Sequence, residues 1–127
     1  MSTPWLILTT RYGTDSTQPS AAQLRQAIDE LFEEKTKGLT DSDYAEHPNA
    51  WLRSGTDGGP MFVIDAYRTG TVILSKFADQ DDDEPSQEAT LSNMSREKIL
   101  KLWTSLAIGD LRSIQLECPG CGGWHRE

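Results

Sequence analysis

The chain has little positive charge, few cysteines and no long apolar run. Its 127 residues include 12 Lys and Arg against 20 Asp and Glu, for a formal net charge of −8. This imbalance disfavours direct binding to nucleic acid or to anionic lipid, because both present dense negative charge. No apolar stretch approaches the roughly 20 residues that span a bilayer, and residues 1–5 lack the basic region of a signal peptide. We therefore expect a cytoplasmic protein with no membrane partner.

The usual enzyme motifs are also missing. The sequence contains no G-x-S-x-G nucleophile elbow, P-loop, H-E-x-x-H zinc-protease motif or G-x-G-x-x-G dinucleotide-binding motif. The zinc-deaminase signature is incomplete, because no His-x-Glu precedes the Cys-x-x-Cys pair that begins at Cys118. His47 lies beside Glu46 in a predicted loop, where a surface histidine is a simpler interpretation than a general base. We expect a protein that is not an enzyme.

The chain is long enough for one hydrophobic core and too short for two. Hydrophobic residues make up 36% of it, which is enough for a globular domain. We predict a single α+β domain over residues 1–117 and a Cys- and Gly-containing C-terminal tail over residues 118–127.

The first part of the chain predicts a strand and a helix. The apolar segment Trp5–Tyr12 reads as a strand buried on both faces, and a polar loop follows at Thr14–Pro19. Ser20 and Gln23 have the spacing of a capping box, which predicts an amphipathic helix that ends near Gly38. The apolar positions of this helix are Leu24, Ala27, Ile28, Leu31 and Phe32.

The middle of the chain predicts mainly strands. Met61–Tyr67 and Thr71–Phe77 are rich in β-branched and aromatic residues, and Gly70 between them suits a turn position with positive φ. We predict a hairpin there, a brief strand at Trp51–Leu52 and a weaker strand at Gln87–Met94.

The last part predicts a second helix and a final strand. Ser95 is the expected N-cap, and the apolar spacing around Trp103 predicts a helix that ends at Gly109, with Trp103 and Trp5 in the core. We predict a strand at Leu111–Glu117. The order of elements indicates an α+β fold, a mostly antiparallel sheet of about five to six strands with two helices on one face.

The negative charge is concentrated in two regions. Six acids lie between Asp79 and Glu88 without a Lys or Arg among them, and seven lie between Asp29 and Glu46. The first run fails the spacing of an EF-hand calcium loop, which leaves a solvated connection or a docking surface for a basic partner. The candidate partner-binding residues are Asp79, Asp81, Asp82, Asp83 and Glu84, with Glu33, Glu34 and Trp51 as further candidates.

The C-terminal segment carries a Cys-x-x-Cys pair, which is typical of zinc-binding sites. Cys118 and Cys121 flank Pro-Gly at the spacing of half a zinc ribbon, and His125 follows four residues later. A closed zinc site within one chain would also need His47. A tail that binds nothing is the alternative, whereas a redox pair is disfavoured because these cysteines follow a predicted strand and do not begin a helix.

The arrangement resembles the small acidic α+β immunity proteins of bacterial polymorphic toxin systems, those of contact-dependent inhibition and type VI secretion. The resemblance lies in the strand from Trp5, the helix with Leu24–Leu31, the Gly-Pro-Met-Phe-Val-Ile entry at Gly59–Ile64, and the late helix. The cysteine-bearing tail departs from that pattern.

The resemblance implies an antitoxin, either a monomer or a small homo-oligomer. It would neutralise a basic cognate toxin, a nuclease or nucleic-acid deaminase, by covering the substrate site of that toxin. Two alternatives stay open at this point. One is a phage-type anti-defence inhibitor whose carboxylates imitate nucleic-acid phosphates, and the other is a zinc-stabilised adaptor.

Overall fold

A computed structural model describes residues 5–10, 15–32, 49–55, 60–79 and 84–118. These residues form six strands and three helices. The strands are β1 (Trp5–Thr9), β2 (Asp15–Thr17), β3 (Asn49–Gly55), β4 (Met61–Tyr67), β5 (Val72–Phe77) and β6 (Gln87–Leu91). The helices are α1 (Ala21–Phe32), α2 (Arg96–Ala107) and α3 (Leu111–Glu117). None of these three helices is long and apolar enough to cross a bilayer.

The six strands form one antiparallel sheet in the order β2-β1-β3-β4-β5-β6. The predicted hairpin is its centre: β4 pairs with β5, and the turn between them contains Gly70 at φ +88°. The carbonyl of Gly70 accepts a hydrogen bond of 2.9 Å from the Met94 amide, which fastens this turn to the segment before α2. The predicted α+β class with a mostly antiparallel sheet is confirmed.

One face of the sheet supplies half of the hydrophobic core. Alternate strand residues point to that face, as period-two strands require, and they are fully or almost fully buried. All three helices pack into the same cluster of buried residues through their apolar positions. The largest members from the strands are Leu8, Leu52, Phe62, Ile64 and Leu74, and those from the helices are Leu24, Ile28, Leu31, Ile99 and Trp103.

The two predicted helices begin as their sequences indicate. The Ser20 amide donates to Gln23 Oε1 at 2.8 Å and the Gln23 amide donates to Ser20 Oγ at 3.2 Å, which is the predicted capping box. Ser95 Oγ accepts from the Lys98 amide at 3.2 Å and caps α2. The capping bonds at both helices satisfy backbone amides that have no partner within the helix. The predicted end of α1 near Gly38 lies outside the described residues.

The predicted final strand at Leu111–Glu117 is wrong, because this segment is the helix α3. Asp110 is its N-cap, accepting from the Ser113 amide at 3.2 Å. Leu111 and Ile114, three residues apart, are its buried residues. Only two apolar residues therefore define the buried face, so the sequence pattern could not separate a helix from a strand.

Several strand predictions are also corrected. β2 lies in the predicted polar loop, because Asp15, Ser16 and Thr17 gain their strand geometry from pairing with β1. β3 spans seven residues where a brief strand was expected. β6 stops at Leu91, three residues early, and Asn93 then adopts φ 58°, which a strand cannot contain. In β1, Leu6 and Leu8 are buried but Trp5 and Ile7 are only half-buried, so one face of this strand is not core.

Candidate functional site

The second face of the sheet carries a mixed aromatic, aliphatic and charged surface. We call it the outer face, since the strand residues on it alternate with those of the core and no described helix packs there. Most of its large side chains are half-buried, so they keep part of their surface exposed. From the central strands it includes Trp5, Ile7, Asn49, Trp51, Arg53, Gly55, Met61, Val63, Asp65, Tyr67, Ile73 and Phe77.

At one end of the outer face, the ring of Trp5 lies against Gly55. A Cβ atom at Gly55 would lie 2.7 Å from Trp5 Cζ2, so the absence of a side chain creates the space in which the indole rests. The register pairs Gly55 with both Trp5 and Met61, and Met61 with Phe77. The sequence prediction of Trp5 as a core residue is therefore corrected: its ring packs on the outer face and not in the core.

A polar cluster lies at the opposite end of the outer face. Asn49 Nδ2 donates to Asp65 Oδ1 at 2.8 Å, and Tyr67 also hydrogen-bonds the Asp65 carboxyl. Burial raises the pKa of Asp65 above its usual value of 3.8, and the two hydrogen bonds only partly oppose this effect. Burial raises the pKa of Tyr67 above its usual value of 10.0. The negative charges of Asp65 and Glu88 raise it further. The outer face thus contains a carboxyl group held in an environment that disfavours its charge.

Arg53 lies at the centre of the outer face, on β3. Its cross-strand neighbours are Ile7 and Val63, both apolar. Its Nε is buried and has no hydrogen-bond partner, the one such side-chain atom among the described residues. Buried polar groups are nearly always hydrogen-bonded, so this donor is an exception that calls for an explanation.

Four of the sequence-predicted site residues are described. Trp51 is half-buried on the outer face, opposite Thr9 and Asp65 in the register. Asp79 is half-buried and Glu84 is exposed in the connection between β5 and β6. Cys118 is the fourth and ends α3. The other predicted residues, Asp81, Asp82, Asp83, Glu33, Glu34, Cys121, His125 and His47, lie outside the described residues.

The described parts of the two acidic regions do not lie together. Asp29 is 3.7 Å from Arg96 at the start of α2, near the end of the sheet where Leu91 pairs with Val72. Asp79 follows the other end of β5. β5 runs from Val72 to Phe77, so these two regions lie toward opposite ends of this strand. Asp79 and Glu84 instead adjoin the Trp5 end of the outer face, because β5 ends there at Phe77.

Cys118 is part of the folded domain. It is only 1% exposed, belongs to the core cluster and is the C-cap of α3. It is disulfide-bonded, and a disulfide sulfur has no thiolate to offer zinc. The zinc site predicted at Cys118, Cys121, His125 and His47 thus remains a prediction for the reduced chain. No three metal-ligating side chains converge among the described residues.

A separate groove of about 220 Å³ lies between α1 and the β1–β2 edge. Its lining is mostly neutral, with Glu30 as the one charged residue. The groove is lined by Leu8, Thr10, Ser16, Gln23, Gln26, Ala27 and Glu30.

The sequence prediction did not include Arg53, Asp65 or Asn49 among the site residues. The available signal was period-two alternation along β3 and β4, which places these polar residues beside Trp51 and Tyr67 and opposite the core. Comparison of the chain with protein-family models, curated proteins and solved structures yields no match.

Proposed function

We propose that this chain is an immunity protein that neutralises a basic bacterial toxin by binding it, without catalysis. The observation that carries the proposal is the division of the sheet into a core face and an outer face that carries half-buried aromatic residues. Aromatic side chains of this kind are enriched at protein–protein interfaces.

The composition of the outer face fits a protein partner. Tryptophan and tyrosine contribute much of the binding energy at protein interfaces, because they bury a large apolar area at low entropic cost. Trp5, Trp51 and Tyr67 all lie on this face. Each is held on a strand of the central sheet, so the surface is ordered before a partner arrives, which lowers the entropic cost of binding.

The charge supports a basic partner. Asp79 lies two residues after Phe77, the outer-face residue that ends β5, and the whole chain carries a formal charge of −8. Acidic residues beside the outer face attract a basic protein and raise its association rate. The apolar contacts on the outer face set the dissociation rate. We therefore expect the acidic residues and Trp51 to act on different kinetic constants.

The proposal is tested by binding to the product of the adjacent gene, purified in an inactive form. Wild-type protein should form a 1:1 complex whose association rate falls as salt increases. Trp51→Ala should weaken binding by about 2 kcal/mol or more, mainly through faster dissociation. Asp79→Asn with Glu84→Gln should chiefly slow association. Absence of a complex at low salt would contradict the proposal.

Leu116→Ala is the matched control for Trp51→Ala. Leu116 is 78% exposed on α3, on the helix side of the domain, so its truncation removes apolar surface far from the outer face. We expect binding by this variant to equal that of wild type. If loss of acidic residues abolished binding while Trp51→Ala had no effect, the result would favour nucleic-acid mimicry over the proposed mode.

A further inference from the structure

The outer face contains one basic residue among those described on it, and that residue lacks a partner. Arg53 Nε is buried without an acceptor. The side chain as a whole is half-buried, and Nε alone among its nitrogens is enclosed and unsatisfied. The ends of the guanidinium therefore remain open to a group that approaches from outside the sheet.

The described carboxylates of the outer face are hydrogen-bonded to residues other than Arg53. Asp65 is hydrogen-bonded to Asn49 and Tyr67. Asp15 accepts from Thr9 Oγ1 at 2.6 Å, and Glu88 accepts from Ser75 Oγ at 3.5 Å. No described carboxylate forms an ion pair with Arg53.

The surroundings of Arg53 strengthen any ion pair formed there. Ile7 and Val63 flank it on the neighbouring strands, and Trp51 precedes it by two residues on the same face. A partner that covers these apolar side chains excludes water from the guanidinium, and a charge pair in such an environment is much stronger than one in water.

We propose that Arg53 receives a carboxylate of the protein partner, delivered by a segment whose flanking side chains are apolar. This inference rests on the proposed function, since it assigns the chemistry of the partner at the same outer face. A carboxylate is favoured over a nucleic-acid phosphate because Asp65 and Glu88, which lie on the outer face, would repel a polyanion. A single acidic side chain in an otherwise basic partner meets Arg53 without that penalty.

The first experiment compares Arg53→Gln with Arg25→Gln in binding to the adjacent gene product. Both remove one positive charge, but Arg25 is exposed on α1. We expect Arg53→Gln to weaken binding by about thirtyfold or more, because it removes one member of a buried charge pair. We expect Arg25→Gln to weaken binding by less than about twofold, because its charge lies far from the interface. If wild type binds and Arg53→Gln binds equally well, this inference fails while the proposed function stands. If wild type does not bind, the proposed function itself fails.

The second experiment does not need the natural partner. Peptides are selected from a random phage-displayed library on wild-type protein and on the Arg53→Gln variant. The inference predicts peptides with one Asp or Glu between apolar residues, enriched on wild type and not on the variant. The same peptides on both proteins, or no acidic residue in the selected peptides, would overturn it.

A third measurement addresses phosphate and folding. A fluorescent single-stranded oligonucleotide should show no Arg53-dependent binding, and tight binding lost in Arg53→Gln would overturn the inference in favour of a phosphate site. Thermal melting establishes that the variants are folded.

If Arg53→Gln does not fold, Arg53→Lys is used. This variant retains the positive charge but loses the planar guanidinium that forms two hydrogen bonds with a carboxylate. We expect at least about tenfold weaker peptide binding by this variant, and equal binding would contradict the inference.

Discussion

The indole Nε1 of Trp103 donates a hydrogen bond of 3.2 Å to the main-chain carbonyl of Ile64. Both residues are fully buried, so this bond joins the middle of α2 to the central strand β4 in the absence of water. Helix α2 is thereby held over the centre of the sheet, and the outer face lies directly behind the same strand.

Substitution of Trp103 should separate the hydrogen bond from the packing of its ring. We expect Trp103→Phe to lower the free energy of unfolding by about 1–3 kcal/mol, from the lost bond and the smaller ring. Trp103→Ala should cost about 3–5 kcal/mol because it also leaves a cavity. Urea unfolding measures both, with Thr104→Ala, an exposed neighbour on α2, as the control. A Trp103→Phe variant as stable as wild type would show that the bond contributes nothing.

Two glycines with positive φ should differ in their tolerance of alanine. Gly70 has φ +88° and Gly109 has φ +79°, and a side chain in this region costs about 1–2 kcal/mol. A Cβ at Gly70 would also lie 3.2 Å from the carbonyl oxygen of Met94, whereas a Cβ at Gly109 meets nothing within 4 Å. Gly70→Ala should therefore be the more destabilising variant in thermal unfolding. Equal melting temperatures would contradict this expectation.

The pH dependence of stability should reveal the environment of Asp65. Burial raises its pKa above 3.8, so the native state binds a proton more tightly than the unfolded chain does. Relative to Asp65→Asn, wild type should thus be least stable above the raised pKa and gain stability as the pH falls through it to 3.8. Unfolding free energies of both proteins across this range measure the difference.

Asp110 is the matched control, because its pKa is shifted in the opposite direction. Hydrogen bonds from Ser113 lower the pKa of the Asp110 carboxyl below 3.8. Its contribution is present above pH 3.8 and is lost as the pH falls through the lowered pKa. As the pH falls, the free energy of unfolding of wild type should therefore decrease relative to that of Asp110→Asn. Relative to Asp65→Asn, the free energy of unfolding of wild type should increase. A flat difference for Asp65→Asn would refute the assigned environment.

Zinc binding through Cys118 should depend on reduction. Cys118 is disulfide-bonded and buried, so we expect no zinc to bind at this residue in the oxidised protein. After treatment with a reductant, a zinc-chelator competition should detect zinc that wild type binds and Cys118→Ser does not. If the reduced protein binds no zinc, the predicted metal site is absent.

The sequence was sufficient for elements with strong local signals. The alternating apolar residues of β4 and β5, the glycine between them and the Ser20–Gln23 capping box each act over a few residues, so they could be recognised without knowledge of the fold. α3 and β2 were mispredicted for the opposite reason. α3 has only two buried apolar residues, and β2 is polar and exists because β1 supplies its hydrogen-bond partners.

The candidate site was predictable only in part. Trp51 was a candidate partner-binding residue from the sequence, but Arg53, two residues later, was not. Its neighbour Ile7 on β1 is distant in sequence, so no local pattern indicates that the Nε of Arg53 is buried without an acceptor. The sequence indicated two acidic regions, but not that their described parts lie at different ends of the sheet.

By itself, the sequence determined the negative charge, the fold class and the residues that alternate along the strands, because these depend on composition and on local periodicity. Tertiary structure decided which alternate set became the core, since all three described helices pack against the same face of the sheet. That choice left Trp5, Trp51, Arg53 and Asp65 together on the outer face. The candidate binding surface is a consequence of strand pairing between distant segments, which no local pattern contains.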